Sequence, residues 1–211
     1  MKAKLSYYVP LLWLLSIPIL NIFYGILNRE GPRVRSLMTV VDVHTPFISY
    51  FVIPYLIWYP FILGMFVYLF VKNRTVYYRT LFLLCTGLVA CYITYYFFQT
   101  VVVRPEITNQ VPLHGFVNFV YDNDRPYNCF PSIHVLSTYL ILIAALRHIP
   151  MKPLMRWAIR LISWSIIVST VFVKQHVVLD IAGAILLVEF LAFVMNLLVP
   201  ISKKSAVSAS A

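Results

Sequence analysis

Charge is what this chain has least of. Only 11% of its 211 residues are Asp, Glu, Lys or Arg, and just seven are acids. With 61% of residues hydrophobic, so few charges cannot clothe a soluble core, which excludes an ordinary soluble domain. Cysteine is also sparse, at three residues. Cys85 and Cys91 lie in an apolar stretch, where a thiol packs as a small hydrophobe. Cys129 precedes Pro131, yet Val135 stands six positions on, where a cysteine-phosphatase loop requires arginine. No further ligands stand around it at metal-site spacing, so no metal site is expected and Cys129 reads as loop packing. Internal repeats are lacking, and the only biased segment is a Ser/Ala tail at 205–211, expected to be disordered. The first apolar stretch ends at Asn28-Arg29-Glu30 without a small-residue cleavage site. It is therefore expected to stay as a helix rather than be removed as a signal.

What the chain does have is long apolar runs. Segments near 9–27, 47–71, 80–103, 131–147, 155–173 and 178–200 approach the roughly 20 residues that cross a hydrocarbon core. Lipid tolerates only backbone hydrogen-bonded within its own segment, so the expected fold class is all-α. It is a polytopic membrane protein with six transmembrane helices in one bundle, a single domain over 1–204. The formal net charge of +10 follows this topology and gives no reason to expect a nucleic-acid partner. Lys2, Lys4, Lys72, Arg74, Arg79, Arg147, Lys152, Arg156, Arg160, Lys203 and Lys204 fall on one side of the membrane. Arg29, Arg33, Arg35, Arg104, Arg125 and Lys174 fall on the other. The richer side should be cytoplasmic, which puts both termini inside and the acid-bearing loops outside, with a plasma membrane location expected. Between the first two spans, Arg29, Arg33 and Arg35 accompany the apolar run Leu37 to Val43. That mixture suits a segment lying along the interface.

Three clusters at outer ends of these spans carry the candidate chemistry. His176 and Asp180 are four positions apart at the start of the last span, so a helix stacks them on one face. An aspartate there can hold one imidazole nitrogen and leave the other as a free nucleophile. Alone, the pair fits equally a boundary His–Asp contact that only satisfies itself. Pro131 suits the first turn of a helix, whose free amides and dipole, with Ser132, favour an anion. His134, in the same turn, could protonate a leaving oxygen. Arg104, before Pro105, can fork onto two phosphate oxygens, although an arginine at a span end is also a common anchor. Lys174 supplies a second cation two positions before His176, and Arg125 a third, in the preceding loop. The three clusters are far apart in sequence yet share one face of the topology. That conjunction points to phosphoryl chemistry at a membrane surface.

These residues resemble the type 2 phosphatidic acid phosphatase superfamily, which carries Arg-Pro, Pro-Ser-x-His and Ser-x6-His-x3-Asp blocks in this order. Here they read Arg104-Pro105, Pro131-Ser132-Ile133-His134, and Ser169 through His176 to Asp180, within a core of about 40–190. Two positions depart from the pattern: Phe97 and Thr170 stand where the family usually has a lysine and an arginine. Tyr127 to His134, Lys174-Gln175-His176, and the upstream Asp42, Pro46-Phe47, Tyr55 and Trp58-Tyr59-Pro60 look like the branch that includes inositolphosphoryl transferases. The resemblance implies catalysis without metal or cofactor through a phosphohistidine. His176 would attack phosphorus, Asp180 orient it and His134 protonate the leaving group. Arg104, Lys174 and Ser132 would hold the phosphoryl oxygens. The expected function is a lipid phosphate phosphatase acting on phosphatidic acid, phosphatidylglycerophosphate or a polyprenyl diphosphate. A headgroup phosphotransferase is the alternative, and a non-catalytic membrane protein is a third.

Overall fold

The computed structural model describes residues 7–200. The expected tail at 205–211 and the flanking lysines Lys2, Lys4, Lys203 and Lys204 lie outside them. The chain is mostly helical. A 3-10 stretch, Val9–Leu15, runs into α1 (Ser16–Leu27). A short strand β1 (Arg35–Ser36) and a one-turn helix α2 (Val40–His44) follow. Then come α3 (Val52–Lys72), α4 (Arg74–Phe97), β2 (Thr100–Val101), α5 (His114–Asn123), α6 (Ile133–His148), α7 (Pro153–Phe172) and α8 (Val178–Leu198).

Among the described residues, five segments are long and apolar enough to cross a membrane: Val9–Leu27, Ser49–Lys72, Arg74–Phe97, Pro153–Phe172 and Val178–Leu198. Their outward faces are oily: Leu12, Ile19, Leu63, Phe82, Ile93, Leu161, Leu186 and Phe193 are all exposed. That is the pattern expected where lipid rather than water is the solvent. The fourth expected span, 131–147, is α6, which has only 16 residues. At 1.5 Å per residue it extends about 24 Å, short of the roughly 30 Å hydrocarbon core. Its role is central instead. It packs against α3, α4, α7 and α8, and twelve of its residues are buried. Leu136, Ile141, Phe66, Leu69, Leu84 and Ile167 form the core around it. Glu189, midway along the last span, is paired there by Arg147 at 2.8 Å and by the Tyr139 hydroxyl at 2.7 Å.

The third span differs from expectation in register. Its helix begins at Arg74, capped by the Asn73 side chain on Val76 N–H, and ends at Phe97 rather than running to 103. It stops because the chain beyond it makes other bonds. Arg35 N–H donates to the Gln99 carbonyl, β1 and β2 pair in parallel, and the Thr100 hydroxyl accepts from Phe130 N–H. Arg104 therefore sits in an extended segment beyond the helix, not at its end. Pro131 likewise falls one residue outside α6. Ser132 is the N-cap, its hydroxyl accepting from Val135 N–H at 3.3 Å, so proline precedes the cap instead of filling the first helical position.

Gly183 on α8 lets Phe130 lie against the helix, for a Cβ there would collide with the ring. Replacing it with valine is expected to overpack this contact and cost about 1–3 kcal/mol. The measurement is thermal unfolding in detergent, and an unchanged midpoint would contradict the close approach.

Candidate active site

Two turns make the centre of the site. The first is the N-terminus of α6, where Ser132 caps and His134 projects one residue into the helix. The second joins α7 to α8. There Gln175 N–H and His176 N–H both donate to the Thr170 carbonyl, at 2.9 and 3.0 Å. Lys174, with a left-handed φ of 53°, makes that reversal possible. This conformation costs a non-glycine residue about 1–3 kcal/mol and persists only when its surroundings fix it. The two turns are tied by Ser132 N–H, which donates to the Asp180 carbonyl at 3.3 Å.

His176 Nδ1–H donates to Asp180 Oδ2 at 3.2 Å, and the same oxygen accepts from Val177 N–H at 2.9 Å. The Asp180 carboxylate is wholly buried, and its other oxygen, Oδ1, has no partner. His134 lies opposite, its ring centroid 5.8 Å from that of His176. Tyr55 and Trp58 pack on the His134 ring at 4.8 and 4.4 Å, and Trp58 is itself held by Ser137 Oγ at 2.9 Å. The half-buried Arg104 reaches the same region. It donates to the carbonyls of Asp124 at 2.7 Å and Tyr121 at 3.3 Å, and to the Gln175 side chain, and it stacks over the Tyr121 ring. His176, His134, Asp180, Arg104 and Ser132 are thus gathered around one place.

Two expected phosphate contacts stand differently. Lys174 is close in sequence to His176, but its ammonium donates to the carbonyls of Asp42 at 3.0 Å and Thr45 at 2.6 Å. Burial lowers its pKa from the ordinary lysine value, and the Asp42 charge works against that shift. Its first visible task is to hold the outer segment. Arg125 is exposed and makes no hydrogen bond to the other candidate residues. At the two positions that depart from the family pattern, Phe97 lies exposed at the end of α4. Thr170 is buried, and its hydroxyl donates to the Ile167 carbonyl.

The chain belongs to the type 2 phosphatidic acid phosphatase superfamily. A family model described as PAP2 superfamily matches residues 29–194, which includes every candidate site residue. No curated protein and no solved structure matches the chain. The superfamily generally contains phosphatases, and the apolar helices fit a membrane member of it.

Several residues around the site had no role assigned from sequence. Asp42 is the clearest. One carboxylate oxygen accepts from Thr39 N–H and its hydroxyl, capping α2, while the other accepts from Val178 N–H at 2.8 Å, capping α8. The Thr39-x-x-Asp42 spacing of a capping box was its readable signal. Asp124 accepts from Tyr24 at 2.5 Å, Asn28 at 3.0 Å and Tyr55 at 3.4 Å, linking α1 and α3 to the loop that carries Arg104's partners. Gln175 meets Arg104 directly. Cys129 comes close to His176 and Asp180, and the three side chains could hold a metal ion. Burial, then Asp180 and Asp124, push its thiol well above the ordinary cysteine value, so it is not a ready thiolate nucleophile.

Asp42→Ala removes a buried carboxylate and uncaps both helices, leaving Val178 N–H without its partner. A loss of about 2–4 kcal/mol is expected. Hydrogen exchange should quicken at 39–45 and 178–180, and unaltered protection in both would count against the double cap.

Proposed function

We propose that this chain is a membrane lipid phosphate phosphatase working through a phosphohistidine on the non-cytoplasmic face, with cytoplasmic termini. One observation carries the reading. His176, oriented by Asp180, faces His134 across 5.8 Å in a buried site whose polar groups are not satisfied by one another. Among the described residues, the buried side-chain atoms without partners include Asp180 Oδ1, His134 Nδ1, Arg104 Nε and Gln175 Nε2. Leaving such groups unpaired is costly, and a polar ligand is the usual reason for keeping them.

In this reading His176 Nδ1–H stays on Asp180 and the Nε2 lone pair attacks phosphorus. The bond to the leaving oxygen breaks as His134 delivers a proton to it. Water then attacks the phosphohistidine, giving its proton to His134, and inorganic phosphate leaves. Arg104, with the Ser132 hydroxyl proton that capping does not consume, holds the phosphoryl oxygens. Lys174 adds charge from behind the turn. Candidate substrates are phosphatidic acid, phosphatidylglycerophosphate and polyprenyl diphosphate.

A headgroup phosphotransferase is favoured by the modest positive charge of the site. Both nearby cations are already engaged, Arg104 by the carbonyls of Tyr121 and Asp124 and by Gln175, and Lys174 by those of Asp42 and Thr45. A phosphodiester carries one negative charge, whereas a monoester carries about 1.5 to 2 at pH 7. In that second reading an alcohol replaces water in the second step.

The deciding experiment gives purified protein a panel of labelled lipid phosphates and follows the label to water or to an acceptor lipid. His176→Ala should lower turnover by about 10³-fold or more while the protein stays folded, and substantial residual activity would remove the nucleophile. One histidine must be neutral and the other protonated, so the pH–rate curve should be bell-shaped. A monotonic curve from about pH 4 to 10, with chemistry limiting, would contradict the paired roles.

A further inference from the structure

Beside the proposed nucleophile and its aspartate lies a thiol, Cys129, that their chemistry does not use. Cys129, His176 and Asp180 each offer one ligand atom, all within 4.8 Å of one another, and all three residues are buried. Around a tetrahedral zinc such atoms stand about 3.3–3.8 Å apart, so only a small contraction separates them from a binding geometry. We infer that these three side chains form a site for a borderline-soft divalent cation, Zn²⁺ or Co²⁺, whose binding silences the enzyme.

Three features of the structure carry this. First, Asp180 Oδ1 is fully buried and unpartnered, an acceptor with nothing to accept from, while Oδ2 already serves His176 and Val177. Second, the donors are one sulfur, one imidazole nitrogen and one carboxylate oxygen. That set suits zinc or cobalt and not Mg²⁺ or Ca²⁺, which need six or more hard oxygen ligands. Third, the ligands come from two turns already fastened together by the Ser132 N–H to Asp180 carbonyl bond, so the site is assembled before the ion arrives. Three protein ligands leave a fourth position for water, as in open zinc sites.

Binding would act on the tautomer of His176. Nδ1 is the nitrogen turned toward Asp180, so it is the one the ion takes. The thiol proton of Cys129 leaves to solvent, and the proton displaced from Nδ1 moves to Nε2, keeping the imidazole neutral. Nε2 then carries a hydrogen in place of the lone pair that attacks phosphorus. An ion held there would therefore stop turnover. The inhibitory consequence rests on the proposed role of His176; the binding site does not.

The test is a Co²⁺ titration of the purified full-length protein, read by its ligand-field absorption and thiolate-to-cobalt charge-transfer band. The wild type should show both. Cys129→Ser and, as a second variant with a different packing demand, Cys129→Ala should lose the charge-transfer band, whereas Cys85→Ser and Cys91→Ser should keep it. In a phosphate-release assay, Zn²⁺ should inhibit the wild type reversibly, with chelator restoring activity. The inhibition constant should rise at least about tenfold in both Cys129 variants, while turnover without metal stays within about threefold. No band in the wild type, or a band that survives loss of the Cys129 sulfur, overturns the site. A Cys129-dependent band in a protein that hydrolyses no lipid phosphate upholds the site and removes the phosphatase reading. Hydrolysis without the band does the reverse.

Discussion

Asp180 is the residue on which the two halves of the site converge. Its side chain holds His176 Nδ1 and caps the start of α8 at Val177, while its backbone carbonyl receives Ser132 N–H. The turn that carries His176, two residues before α8 begins, is thereby hung from the helix that carries His134. A carboxylate is suited to this because it accepts only, so the imidazole nitrogen facing it must carry the proton. Burial without exposure to water makes the arrangement unforgiving: in a low dielectric the charge needs every donor it has. Gly183, one turn further along α8, lets Phe130 close the same joint from the apolar side.

A second anchor works from the opposite direction. Asp42 joins the outer segment to the first amide of α8, and Lys174 fastens the same segment through the carbonyls of Asp42 and Thr45. Val40, Val41 and Val43 face outward from this one-turn helix while Asp42 alone is turned in and buried. Such a segment has the composition of one resting on an apolar boundary. It is nonetheless bonded to the turn that presents His176. The left-handed backbone at Lys174 is held between these bonds and the doubly used Thr170 carbonyl.

Long hydrophobic runs made most of the helices legible, because a lipid-exposed helix must be apolar over its whole length. The first segment, Val9–Leu27, has the expected limits. Legibility failed where tertiary bonds override local hydropathy. Residues 98–103 are apolar enough to extend α4, but they peel away to pair with 35–36, and the helix takes in Arg74 and Arg79 at its other end instead. Helix α6 is apolar for another reason: it is surrounded by protein, and composition cannot tell that from lipid. The His134, His176 and Asp180 cluster was readable because spacing and span ends put each at the same face. Lys174 was readable as a cation near the site but not as a donor to carbonyls 129 and 132 positions away. No local pattern encodes that contact. Cys129 shows the same limit, since its neighbours in space are about fifty positions away in sequence.

The charge of the site follows from these attachments. Arg104 and Lys174 are its cations, while Asp42, Asp124 and Asp180 are the acids within or directly behind it. Such a balance attracts no anion from a distance, since long-range steering needs an excess of one sign. What remains is directional: a guanidinium fixed by two carbonyls and a glutamine, and the N-termini of α6 and α8 directed into the same region. Fixed dipoles in a dry site need no reorganisation when charge develops, which is where electrostatic catalysis draws its strength. A phosphoryl group whose negative charge spreads over equatorial oxygens during transfer is matched by such an array better than a resting dianion would be. The family positions that here are Phe97 and Thr170 would add charge that binds ground state and transition state alike. In the proposed reading their loss weakens capture more than it weakens the chemical step. The substrate in that reading is a lipid confined to the membrane plane, and for it weak capture in three dimensions is a small handicap.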